Sequence, residues 1–167
     1  MSEEGVKLQK AKTKGSWLDP ASVTPRTGSI YPKPFDAPLE GRAKRALGDP
    51  LGLTQFGVNL TTLAPGAWSS QRHWHENEDE FVYVLEGEIT LVSDDGETVL
   101  RPGMAAGFPA GEPNGHHLIN RGDKPAVYLE VGTRMPVEVA HYSDIDLGGR
   151  KEGGRFTFTH KNGEPYP

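Results

Sequence analysis

From Leu51 onward the chain is a succession of short runs in which apolar and polar residues alternate, each closed by glycine, proline, asparagine or aspartate. LTQFGVNLTTL, AWSSQRHWH, EFVYVLEG, EITLV, ETVL, MAAGF, HHLIN and AVYLEVG read as strands, separated by turns such as APG, SDDG, RPG, PAGEPNG and RGDKP. Alternation sends every second side chain to the same face. Many short strands between regular turn signals, with no sustained helical period, predict an all-β sandwich or barrel rather than a βαβ fold. Asp95-Gly96 predicts a tight hairpin turn. Both faces of EFVYVLEG are apolar, so one fills the interior and the other needs cover from a second sheet, an arm or another subunit. A homodimer is therefore predicted.

The two ends read differently. Residues 1–38 are charged and then punctuated by Pro20, Pro25, Pro32, Pro34 and Pro38, each fixing φ and removing a backbone donor. This predicts an extended N-terminal arm, whose Trp17, Leu18, Ile30, Tyr31 and Phe35 either lie against a folded surface or hang in a loose tail. LEGRAKRALG, residues 39–48, suggests one short helix stopped at Gly48. The barrel is expected over 39–142. In the tail, 143–167, a flexible LGGRKEGG link precedes a possible edge strand in which Phe156 and Phe158 alternate with Thr157 and Thr159.

Composition agrees with this and narrows the function. Twenty-one glycines and 14 prolines favour turns over helices, and 167 residues make one domain. A net charge of −5 without a dense basic block gives little attraction for nucleic acid or an anionic membrane, so neither is expected as a partner. The polar start lacks an apolar signal core and no stretch is long and apolar enough to span a bilayer, which predicts a cytoplasmic protein. With no cysteine, a metal must be held by His, Asp or Glu.

HWHENEDEFVYVLEGE, residues 73–88, is where such chemistry concentrates. In a strand His73 and His75 face one point and Trp74 the opposite side, which is chelate spacing but on its own a weak signal. Glu80 leads the Val82/Val84 face of the next strand, and a buried carboxylate there requires a cation or hydrogen-bond donors. Glu78 is its substitute if the register slips. His116 and His117 offer a third imidazole, and alternation lets only one of them enter a common interior. Arg72 alternates away from that point, and Tyr83 lies on the face opposite Glu80.

The spacing Gly66, His73, His75, Glu80, Gly87 resembles the first motif of the cupin superfamily, and Gly103, Pro109, Gly111, His116, Asn120 resembles the second. Together they span about residues 52–132. Two departures, one extra residue before His73 and EPNG between Gly111 and His116, fall in turns, where insertions are tolerated. The resemblance implies a jelly-roll (double-stranded β-helix) barrel and selects His116 over His117. It implies one divalent transition metal (Fe, Mn, Ni, Cu, Co or Zn) on His73, His75, Glu80 and His116, with structural roles for the glycines. Asn120, Arg101 and Trp68 are candidates for positioning ligands or substrate. Four ligands on a six-coordinate ion leave two open positions. The expected function is a small metalloenzyme acting on a sugar derivative or carboxylate, as an isomerase, epimerase or dioxygenase. The alternative is a non-catalytic sensor of a metabolite or metal.

Overall fold

The computed structural model describes residues 16–167, so the first fifteen residues of the predicted arm lie outside the described part. The described residues form thirteen strands: β1 (Arg26–Thr27), β2 (Arg42–Ala46), β3 (Phe56–Leu63), β4 (His73–His75), β5 (Glu80–Glu86), β6 (Ile89–Ser93), β7 (Gly96–Leu100), β8 (Ala105–Phe108), β9 (His117–Ile119), β10 (Ala126–Thr133), β11 (Glu138–Tyr142), β12 (Gly148–Glu152) and β13 (Arg155–Thr159). One wall is a six-stranded sheet ordered β1-β2-β3-β10-β5-β8. The opposite wall combines β13-β12-β11-β4 with β7-β6-β9. A bridge between His73 and His116 joins these two sheets edge to edge. The result is an all-β jelly roll. No helix among the described residues is long and apolar enough to cross a membrane.

Register explains how the interior is filled. Across the first wall, Lys44, Thr61, Tyr128 and Val84 stand in one row, and Asn59, Glu130, Val82 and Ala106 in another. These residues share the inner face with Glu80, whose partner on β8 is Phe108. Val82, Val84, Leu63 and Tyr128 pack there against Ile89, Leu100 and Leu118 from the opposite wall. The alternate residues of β5, Phe81, Tyr83 and Leu85, face outward and remain exposed.

Two local expectations fail. The segment 39–48 is not a helix: after a 3-10 turn at Ala37–Leu39, residues 42–46 form β2, paired to β3 along its whole length. RAKRA has good helix formers, but propensity is a weak prior against a full ladder of sheet hydrogen bonds. LGGRKEGG is not a flexible link either, since Gly148–Glu152 is β12, paired on both sides. Gly149 is there for space: a Cβ at that position would sit 2.6 Å from the Phe156 ring. Beyond it, β13 forms the edge of its sheet as the Phe/Thr alternation predicts. The hairpin between β6 and β7 is tight, with Asp94 and Asp95 linking the paired Ser93 and Gly96.

The arm divides into packed and unpacked parts. Tyr31 and Phe35 join Phe156, Phe158 and Tyr166 from the tail around buried Ala140, Tyr142 and Leu147, a second apolar cluster beside the barrel core. Trp17 and Ile30 stay exposed.

The four motif glycines, 66, 87, 103 and 111, have φ of 83°, 73°, 89° and 78°. At Gly87 space is limiting as well, because an added Cβ would lie 2.9 Å from the Pro125 carbonyl oxygen. Gly87→Ala is expected to cost about 2 kcal/mol or more, from left-handed strain plus the displaced turn. Chemical denaturation of both proteins measures this.

Candidate metal centre

β4 carries His73 and His75 from one wall, β5 carries Glu80 from the other, and His116 stands one residue before β9. His73 is pinned to that position by reciprocal backbone hydrogen bonds with His116, N–H to carbonyl, at 3.1 and 2.9 Å. The four side chains converge. His73 Nε2 lies 3.0 Å from His75 Nε2, and His116 Nε2 lies 2.9 Å from Glu80 Oε2. The same oxygen is 3.8 Å from His73 Nε2 and 3.7 Å from His75 Nε2.

The outer ring nitrogens decide what these inner atoms are. His73 Nδ1 is 2.8 Å from the Gln71 carbonyl, and His116 Nδ1 is 3.2 Å from the Asn114 carbonyl. A carbonyl only accepts, so each Nδ1 carries the proton and each neutral ring turns a bare Nε2 lone pair inward. His75 Nδ1 faces Glu138 Oε1 at 3.3 Å, close but not aligned as a hydrogen bond. Two lone pairs, the His75 Nε2 atom and a carboxylate oxygen thus meet at one point. A cation answers that arrangement. For metal–ligand bonds near 2.1 Å, neighbouring donors on an octahedral ion stand about 3.0 Å apart, so the residues fit a first-row divalent ion with small adjustment.

Without an ion, a proton serves the same point. Burial pushes the Glu80 carboxyl up, yet a proton placed between it and His116 Nε2, with the His73 and His75 rings beside it, holds it well below the usual carboxylate range. His73 is pushed down to about 4, chiefly by burial, against the opposing pull of Glu80. It is therefore neutral, the ligating form, at neutral pH.

Rings lock the ligands in place. Phe108 lies flat on His116 with centroids 3.5 Å apart, and Tyr142 stacks on His73 at 5.6 Å. Trp74 points the other way, as alternation requires, and stacks on His141. Glu138, not singled out from the sequence, is wholly buried and accepts the Glu76 and Asn77 backbone N–H groups at 2.9 Å each. That holds its carboxylate behind His75, with Oε1 3.3 Å from the ring's Nδ1. The signal was present in EVAHY, an acid leading an alternating strand face, the same pattern that marks Glu80.

The remaining sequence candidates lie elsewhere. Asn120 donates to the Leu63 and Lys124 carbonyls and accepts from Gly122 N–H, clamping a turn rather than a ligand. Arg101 is exposed and paired with Glu88. Trp68 meets His117 edge-on. Arg72 is taken up by Asp94 and Asp144, and Glu78 by Lys151. His117 donates its Nδ1–H to the Ser70 carbonyl at 3.1 Å and is not part of the cluster.

The cluster opens into a cavity of about 300 Å³, lined also by Tyr31, Arg42, Lys44, Tyr128, Glu130 and Phe158. Arm, barrel and tail all contribute to this wall.

Comparison with known proteins places this geometry among relatives. Residues 59–132 match the family model of the Cupin domain. The crystal structure of a sugar phosphate isomerase from a cupin superfamily, from Silicibacter pomeroyi, is 51% identical. The match covers 90% of this chain and 96% of that one, with a TM-score of 0.87. A candidate sugar phosphate isomerase from Acidithiobacillus ferrooxidans is 29% identical over 75% of this chain and 80% of its own, with a TM-score of 0.69. An oxalate decarboxylase of Bacillus subtilis is 31% identical over 96 residues, 53% of this chain, and the match spans only 22% of that protein's length.

Glu138→Gln is expected to lower affinity for a divalent metal about 10-fold or more, the usual effect of losing a carboxylate behind a ligating histidine. Competition against a chromogenic chelator reads this directly.

Proposed function

The chain belongs to the cupin superfamily, and we propose that it is a metal-dependent isomerase of a small polyhydroxy carbonyl compound, a sugar derivative. The observation that carries this reading is the set of three imidazole nitrogens and one carboxylate gathered at the wall of a cavity. His73, His75, His116 and Glu80 would hold the ion. When bound, a divalent ion polarises a carbonyl or hydroxyl oxygen placed on its open positions, easing proton transfer at the neighbouring carbon.

The chain's own residues do the rest. Phe108 and Tyr142 cover the His116 and His73 rings, and the Glu138 carboxylate stands behind His75, where it would receive the Nδ1–H of a metal-bound ring. The likeness to the Silicibacter pomeroyi protein, over nearly all of both chains, favours isomerisation over oxygenation or decarboxylation. The oxalate decarboxylase likeness covers too little of that protein to transfer its reaction. The proposal includes a cytoplasmic location. It also includes a homodimer, in which a second copy covers the outward row Phe81, Tyr83 and Leu85, since two-fold assembly is the commonest way to bury such a row.

Elemental analysis of full-length protein purified without chelators is expected to find near-stoichiometric transition metal, lost in His75→Ala. The intact protein should convert aldoses or ketoses, free or phosphorylated, with the variant inactive. Saturable binding without turnover would identify a sensor instead, and no metal after reconstitution with each ion would end the metalloenzyme reading. Light scattering at micromolar concentration should give twice the chain mass, and Tyr83→Glu should shift it toward the monomer.

A further inference from the structure

Arg42 has no part in the metal centre, and its surroundings leave its charge without a counter-ion. Two of its N–H groups go to backbone carbonyls, Nη1 to Ser69 and Nη2 to Gly28 at 2.9 Å, and among the described residues no carboxylate pairs with it. Its neighbour Lys44 differs, because Glu130 neutralises it while also accepting from Asn59. A guanidinium offers five donors, so three remain. Arg42 is only part-exposed and lines the cavity. Holding such a charge away from bulk water without a partner is costly, and an anion in the cavity would remove that cost.

A second, independent observation points to the same occupant. Tyr128 is 1% exposed, stands on the inner face of the first wall and lines the same cavity. Its hydroxyl has beside it only that of Thr61 across the ladder, and neither finds an aligned hydrogen-bond partner. Such hydroxyls are usually satisfied by protein, water or ligand. The route from here to the metal ligands is short: Arg42 holds the Ser69 carbonyl, and Ser70 Oγ lies 3.4 Å from His73 Nδ1.

We infer that Arg42 and the Tyr128 hydroxyl form an oxyanion subsite in the cavity, receiving a phosphate or carboxylate group of a ligand whose other oxygens reach the metal ligands. The ligand's role as substrate rests on the isomerase reading, whereas anion binding does not. With a divalent ion against Glu80 and with Lys44 cancelled by Glu130, Arg42 leaves the cavity positive, so a monoanionic or dianionic ligand balances it. Arg42 lies outside the 59–132 segment that matches the family model. The subsite thus belongs to the strand that precedes the shared core.

Calorimetric titration of the metal-loaded full chain with inorganic phosphate, and separately with acetate, tests this. One saturable phosphate site is expected, weakened at least about tenfold in Arg42→Gln and kept within about threefold in Arg42→Lys. Tyr128→Phe, which keeps the ring in the core, should weaken it about threefold or more. Acetate binding with the same dependence on Arg42, in place of phosphate, identifies a carboxylate as the group received. Binding of neither anion to the wild type overturns the inference, as does anion binding that Arg42→Gln and Tyr128→Phe leave unchanged, the result expected if phosphate simply sat on the metal. Metal content of the same samples judges the metal centre separately: an intact anion site without metal would remove the isomerase reading alone.

Discussion

Three imidazole nitrogens gathered on one carboxylate oxygen are the constraint around which this molecule is built. Acceptors facing acceptors in a buried place are unfavourable until a proton or a metal ion stands between them. Only an arrangement that holds all four groups from outside can keep them there. The backbone carbonyls of Gln71 and Asn114 fix two rings, the Glu138 carboxylate backs the third, and Phe108 and Tyr142 lie on two of them. Because His73 and His75 come from one wall and Glu80 from the other, the site also fixes how the two walls stack. The His73–His116 bridge then closes the second wall.

Arm and tail reach this centre through Tyr142. Its ring lies on His73, and its other neighbours are Tyr31 from the arm and Phe158 from the tail. Gln71 makes a second link: its carbonyl accepts from His73, while its side chain donates to the Phe35 carbonyl at 2.7 Å. Segments that read as appendages in the sequence therefore buttress a ligand and wall the cavity. Ile30, on the cavity rim and largely exposed, marks where that wall meets solvent.

Strand alternation was legible because it follows from a period of two that tertiary structure seldom overrides. It separated Trp74 from His73 and His75, placed Glu80 on the inner face and set Tyr83 outward. It failed where residues are amphipathic: the long stems of Arg42, Lys44 and Arg45 cover apolar surface while their charges stay polar, so RAKRA shows no apolar face to announce a strand. LGGRKEGG failed for a different reason, since glycine signals either freedom or close approach, and only the position of the Phe156 ring tells which. Asn120 shares the His116 face in the alternation, but three hydrogen bonds to backbone consume its amide in a turn. EVAHY marks Glu138 as an inward acid, but that it stands behind His75, distant in sequence, has no local signature.

The family resemblance and the cavity wall divide along the chain. Residues 59–132 contain His73, His75, Glu80 and His116, so the shared core is sufficient to define the four-donor point. Glu138, Tyr142, Tyr31, Arg42, Lys44 and Phe158 all lie outside it, yet they stand behind His75, stack on His73 and shape the space beside them. A likeness over about half of the chain, such as that to 22% of an oxalate decarboxylase, therefore does not speak to the reaction. The match over 96% of the Silicibacter pomeroyi protein is different in kind, because it takes in the strands that form the rest of the wall. Which oxygens a ligand could present to the four-donor point depends on the shape of the far side of the cavity, which this chain draws from its arm, β2 and tail.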